Sequence, residues 1–342
     1  MRHARIRRAV TAVAALVVLA SIFLTMPNTA TSQAAGTMGP PTPVKVVKVL
    51  ANGQTVATYR YHTQSPDEIA DVYYDAHWVG SRTKRAAIIV VHGGWWHNAN
   101  RASGARAAQK WLDSGFVVMN IEFRDAADHP AFVGSGREGS TVTGTRWPAQ
   151  RIDVALAYDW LKANAAQFGI DPARVGLYGF SAGGHIANVA AGVYGTARFR
   201  ASASISGIQQ PQRTADIVMN QGSGGDVPSS TLAKSFGYMT SALGCSYEPT
   251  WVDCGAKWTS FKPETYFGAT KPALYAIKGT VDPIEPISAL TATEDLLARA
   301  GQDHLTVAVS DRGHDENLVL GSGTTAVARW NQLVTWMRSK TA

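Results

Sequence analysis

The sequence predicts an α/β fold, with a mostly parallel central sheet covered by helices on both faces. Three observations predict it. Apolar runs of strand length alternate along the chain with segments whose apolar residues recur at helical spacing. The run 86–91 (AAIIVV) is apolar without alternation, as expected of a strand covered on both faces, and 116–121 is another buried run. A third run, at 175–178, enters Gly179-x-Ser181-x-Gly183 and leaves into the helix-forming 186–191, which reads as strand, sharp turn and helix with a serine at the apex.

At the N-terminus, Arg2, Arg5, Arg7 and Arg8 lead into the apolar run 9–24 and then the small, polar stretch 27–35. Residues 1–35 therefore read as an export signal, with an uncleaved membrane anchor as the alternative. The four arginines also account for much of the formal charge of +7, and the rest carries only about +3, which gives no support to a nucleic-acid partner. The composition, 45% hydrophobic and 17% charged over 342 residues, is that of a globular protein. Residues 36–342 are expected to form one catalytic domain, opened by the stiff lead-in Pro40-Pro41-Thr42-Pro43.

Two opening strands, 44–50 and 70–74, are joined through a turn at Asn52-Gly53. The strand 86–91 ends at His92-Gly93-Gly94-Trp95-Trp96, and 116–121 ends in Glu122-Phe123-Arg124. Residues 127–146 have no clear period and read as a long surface loop. Trp147-Pro148-Ala149 opens a helix with Ile152, Ala155, Leu156, Tyr158, Trp160 and Leu161 at helical spacing. After the serine's strand and helix, 201–207 is the next strand. Residues 208–271 are expected to be a small irregular insertion over the active site, before the strand 273–277 that leads to Asp282. A helix at 288–300 stopped by Gly301, a strand at 305–309 and a helix at about 324–338 complete the pattern.

Cys245 and Cys254 are the two cysteines; in an exported chain a disulfide between them is the expectation. No His or Cys partner sits at ligand spacing nearby, so no metal is expected, and the chemistry below needs no cofactor.

Ser181, Asp282 and His314 each fall just past the end of an expected strand, where open α/β sheets place their ligand sites. A serine hydroxyl needs a base, an imidazole is mostly neutral at pH 7, and a carboxylate fixes the imidazole's tautomer. The backbone N–H of Ala182 and those of Gly94 and Trp95 are candidate donors for an oxyanion.

Residues 92–96 (HGGWW), 179–185 (GFSAGGH), Asp282-Pro283 and Gly313-His314-Asp315 resemble the esterase/lipase branch of the α/β-hydrolases. That branch includes hormone-sensitive-lipase-like esterases and bacterial acetylxylan and feruloyl esterases. The order Ser, Asp, His is also that of the α/β-hydrolases. The resemblance covers most of residues 70–320. It implies hydrolysis of a small-molecule or polysaccharide-linked ester through an acyl-serine, with Ser181, Asp282 and His314 as the triad. Two features depart from it: Trp95 replaces the third glycine of the usual HGGG, and the 127–146 loop is long.

Glu285 rivals Asp282 but does not directly follow the strand. His185 is read as packing or surface, His92 as ordering its loop, and His97 stays open. Asp311 and Asp315 read as solvated or capping. Trp95 and Trp96 could be core or pocket lining, and Trp96 is a candidate pocket residue. Besides a secreted esterase, three readings remain: an arylformamidase, a peptidase of the prolyl-oligopeptidase type, and a fold that has become a binding module.

Overall fold

Strands β1 (Lys45–Val49), β2 (Gln54–Arg60) and β3 (Ile69–Asp75) open the domain. They are followed by β4 (Arg85–Val91), α1 (Ala105–Asp113), β5 (Val117–Ile121), α2 (Ala149–Ala163), α3 (Ala165–Phe168) and β6 (Ile170–Phe180). Next come α4 (Ala182–Tyr194), β7 (Ala201–Ile205), α5 (Pro211–Met219), α6 (Ser230–Leu243) and α7 (Val252–Phe261). The chain closes with β8 (Ala273–Gly279), α8 (Ile287–Arg299), β9 (His304–Val309), α9 (Asn317–Leu320) and α10 (Thr324–Lys340). This computed structural model describes residues 41–50, 52–126, 145–219, 230–244 and 252–342, and Pro40–Ala342 form one compact unit.

Among the described residues the strands form one sheet in the order β1-β2-β3-β5-β4-β6-β7-β8-β9. The pairs from β1 through β3 to β5 are antiparallel, and all the others are parallel. The registers pair Val91 with Gly179, Phe180 with Ile205, Ile205 with Ile277 and Gly279 with Val309. The carboxyl ends of five parallel strands are thereby brought level, and the residues just beyond them meet over one edge.

The unbroken apolar run of β4 has a simple cause. Ile89 and Val91 pack on one face of the sheet with Val154 of α2 and Ile186 and Val189 of α4. Ile88 and Val90 pack on the other with Trp111 of α1 and Trp330 and Met337 of α10. Both faces are apolar, so no position from 86 to 91 is left for a polar side chain, and Arg85 sits at the strand's half-buried start. Each fully buried aliphatic side chain contributes about 1.5–3 kcal/mol.

Two sequence expectations change. The turn at 50–53 joins β1 to β2, a strand absent from the sequence reading, and not directly to 69–75. In β2 (QTVATYR) polar Thr55 and Thr58 are buried along with Val56 and Ala57, and the Thr58 hydroxyl donates to Asp71 Oδ1 at 2.6 Å. Pairing with neighbours on both sides holds this strand, not an amphipathic pattern. The described residues of 208–271 are not irregular: they carry α5, α6, α7 and a short 3-10 helix at Pro263–Tyr266. The expected disulfide, at Cys245 and the side chain of Cys254, and most of the 127–146 loop lie outside the described residues.

Candidate active site

Ser181 caps the N-terminus of α4 at φ 56°, ψ −126°, a conformation a side chain adopts only where its surroundings enforce it. The two glycines of the motif make the turn possible. A Cβ on Gly179 would strike the Gly183 carbonyl, and one on Gly183 would strike the carbonyl oxygens of Val91 and His92. The helix is thus held directly against the end of β4. The Ser181 N–H donates to Ile205 O at 2.9 Å, which leaves the side chain to project over the sheet edge.

His314, on the loop after β9, meets it there. Its Nε2 lies 2.8 Å from Ser181 Oγ, and its Nδ1 lies 3.0 and 3.2 Å from the two oxygens of Asp282. A carboxylate only accepts, so Nδ1 carries the proton and Nε2 accepts from the serine hydroxyl. Asp282 Oδ1 also accepts the Ile284 N–H at 2.9 Å. Burial alone would raise the Asp282 pKa, but the ammonium of Lys278, then His314 and that N–H, outweigh it and hold it at about 2. The site is nearly closed: Ser181 is 7% exposed and the His314 side chain 15%.

The loop after β4 runs beside the serine. Gly94 has φ 109°, with Trp95 and Trp96 also left-handed at 56° and 67°. The turn closes on the Gly94 carbonyl, which accepts from the N–H groups of His97 and Asn98 at 3.0 and 2.6 Å. Among the described residues, the backbone N–H groups of Gly94, Trp95 and Ala182 have no hydrogen-bond acceptor. For Ala182 this follows from its place at the first position of α4, where a helix leaves its N–H groups unused. His92 stabilises the loop from beneath, with Nδ1 2.7 Å from Gly93 O and Nε2 3.1 Å from Glu122 Oε1.

Trp96 does not line a pocket. It is 0% exposed, its ring packs on Phe261, and its indole N–H donates to His185 Nδ1 at 3.2 Å. The candidate pocket role is withdrawn, because a side chain with no exposed surface cannot meet a substrate. Trp95, partly exposed, packs on Tyr238 of α6 with ring centroids 4.4 Å apart, so α6 reaches the loop after β4. His185 lies in this packing, its Nε2–H donating to Phe261 O at 2.7 Å, and burial lowers its pKa to about 3. Glu285 does not touch the histidine. It pairs with Lys278, whose Nζ lies 3.1 Å from its Oε2. The sequence reading missed Lys278; its signal is a lysine inside a strand that is otherwise apolar, Ala273–Gly279.

Residues 137–295 match the family described as BD-FAE. Esterase LipC of Mycobacterium tuberculosis (strain ATCC 25618 / H37Rv) is 32% identical over 110 residues, 32% of this chain and 23% of that protein. Secreted lipase 5 of Gibberella zeae is 31% identical over 110 residues, 31% of this chain and 20% of that protein. The chain thus spans less than a quarter of the length of these curated relatives. Among solved structures, a truncated carbohydrate esterase from gut microbiota superposes with a TM-score of 0.64 at 20% identity, covering 86% of this chain and 100% of that one. The fold is that of the α/β-hydrolases.

Proposed function

We propose that this chain, an α/β-hydrolase similar in sequence to esterases and lipases, hydrolyses carboxylic esters through an acyl-serine on Ser181. The observation that carries the reading is the hydrogen-bonded line from Ser181 Oγ through His314 to Asp282, at 2.8 and 3.0 Å. Ser181 Oγ attacks the ester carbonyl as its proton passes to His314 Nε2. The tetrahedral oxyanion is met by the N–H groups of Ala182, Gly94 and Trp95, each donor typically worth about 10²–10³ in rate. On collapse, the Nε2 proton goes to the departing alkoxide and the alcohol leaves. A water then gives its proton to Nε2 and attacks the acyl carbon; as the bond to Oγ breaks, that proton passes from Nε2 to Ser181 Oγ, and the acid leaves.

Short-chain esters and acetyl or feruloyl esters on plant polysaccharide are the proposed substrates. The family resemblance supports this class, as does the likeness to a structure whose title names a carbohydrate esterase. Residues 1–35, read as a cleaved export signal, would bring the enzyme to such polymers outside the cell, with Cys245 and Cys254 oxidised there.

Turnover of p-nitrophenyl acetate, butyrate and octanoate and of methyl ferulate, by protein starting near Gly36 and by its Ser181→Ala variant, tests the reading. Activity in the first and none in the second supports it. Equal activity in both removes Ser181 from the mechanism.

A further inference from the structure

Lys278 sits near the end of β8 and is 1% exposed. Its Nζ lies 3.3 Å from Asp282 Oδ2 and 3.1 Å from Glu285 Oε2, and it donates to the Glu285 main-chain oxygen at 3.4 Å. Burial pushes the lysine pKa down, but Glu285 and Asp282 together outweigh it and leave it raised, so the ammonium is kept. Glu285 is wholly buried, and its two oxygens accept from the backbone N–H groups of Gln209 and Gln210 at 2.8–3.0 Å. A buried ammonium facing Asp282 alone would cancel the charge that an imidazolium on His314 needs. Glu285 removes that conflict: two carboxylates and one ammonium leave one net negative charge beneath the histidine.

We propose that Lys278 and Glu285 are positioning residues that set the charge Asp282 presents to His314, with Glu285 balancing Lys278. The functional consequence rests on the esterase reading, whereas the charge balance does not. Other titratable groups surround the cluster. Glu264, on the Pro263–Tyr266 helix, feels the charge of Glu285, and Arg213 of α5 bonds Ser288 nearby. Beyond His314 lie the Arg312–Asp315 pair and Glu316, which accepts from Tyr178. Glu264 loses the push of Glu285 in Glu285→Gln and in the double variant alike, so the comparison of those two isolates Lys278.

The test is the titration midpoint of His314, read by NMR from its ring proton, together with the acid limb of kcat/KM for p-nitrophenyl acetate. In Glu285→Gln the lysine is unbalanced, the imidazolium is disfavoured, and both midpoints fall by about one pH unit. In Lys278→Met/Glu285→Gln the net charge returns to one negative, and both midpoints return to within about 0.3 unit of the unaltered protein. If Glu285→Gln does not fold, Lys278→Met reads the balance from the other side, and its midpoints rise. A role in packing alone would lower melting temperatures with unmoved midpoints, and that result overturns the proposal. If the unaltered protein neither turns over an ester nor is labelled at Ser181 by a fluorophosphonate, the esterase reading falls. The NMR midpoints still decide the charge balance in that case.

Discussion

The indole N–H of Trp96 donates to Nδ1 of His185, 3.2 Å away, and so ties the loop after β4 to the helix that begins at Ser181. His185 stands one turn after Ser181, and its N–H bonds back to the Ser181 carbonyl at 3.1 Å. Trp96 is left-handed, a strain of about 1–3 kcal/mol. Its complete burial and this hydrogen bond offset it. Trp96→Phe leaves His185 Nδ1 buried and unpaired and should cost about 1–3 kcal/mol by urea unfolding. With the loop less well held, kcat should fall about ten- to a hundredfold with little change in KM. A wild-type kcat in the variant would show that the tie is structural only.

His185 gives the fold an acid-side weakness. Its folded pKa of about 3 lies below the ordinary 6.5, so between these values the unfolded chain binds the proton and the native chain does not. The stabilisation is complete above pH 6.5 and is lost as pH falls toward 3, by up to about 1.4 kcal/mol per unit. His185→Gln keeps a donor for Phe261 O and an acceptor for Trp96. Urea midpoints measured from pH 7 to 4 should fall less steeply in this variant than in the unaltered protein.

Glu316 acts in the opposite sense. Burial raises its pKa from the ordinary 4.5 to about 7, against the Tyr178 hydroxyl, which bonds it at 3.0 Å. The native chain holds the extra proton in that window, so its contribution is complete below pH 4.5 and is lost as pH rises through 7. Glu316→Gln should therefore gain stability relative to the unaltered protein between pH 5 and 8. A constant difference across that range would mean Glu316 does not titrate there.

Gly183→Ala should not yield active enzyme. Its Cβ would meet the carbonyl oxygens of Val91 and His92, both main-chain atoms of the strand end that holds α4 in place. The two must separate, and Ser181 moves away from the loop. Circular dichroism with p-nitrophenyl butyrate turnover checks this, the expected result being a lowered melting temperature and a rate reduced by about 10² or more.

Ser181, Asp282 and His314 are legible in the sequence because each falls just past the end of a strand, at one, three and five residues beyond it, and parallel registers bring strand ends level. Lys278 and Glu285 are not legible as a pair. One is a charge within a strand and the other lies in a loop, and only the fold of residues 279–285 makes them neighbours. Strand β2 is hidden because its buried threonines erase any alternation. The helices α6 and α7 are hidden by Gly237 and Gly255, which lower helix propensity without breaking a helix packed on its neighbours. The burial of Trp96 depends on His185 and Phe261, which lie 89 and 165 positions away in sequence.

The most direct measurement is mass spectrometry of the protein after reaction with a fluorophosphonate. One adduct is expected, on Ser181, and none in Ser181→Ala. An unmodified Ser181 in protein that still turns over esters would contradict it and place the nucleophile elsewhere.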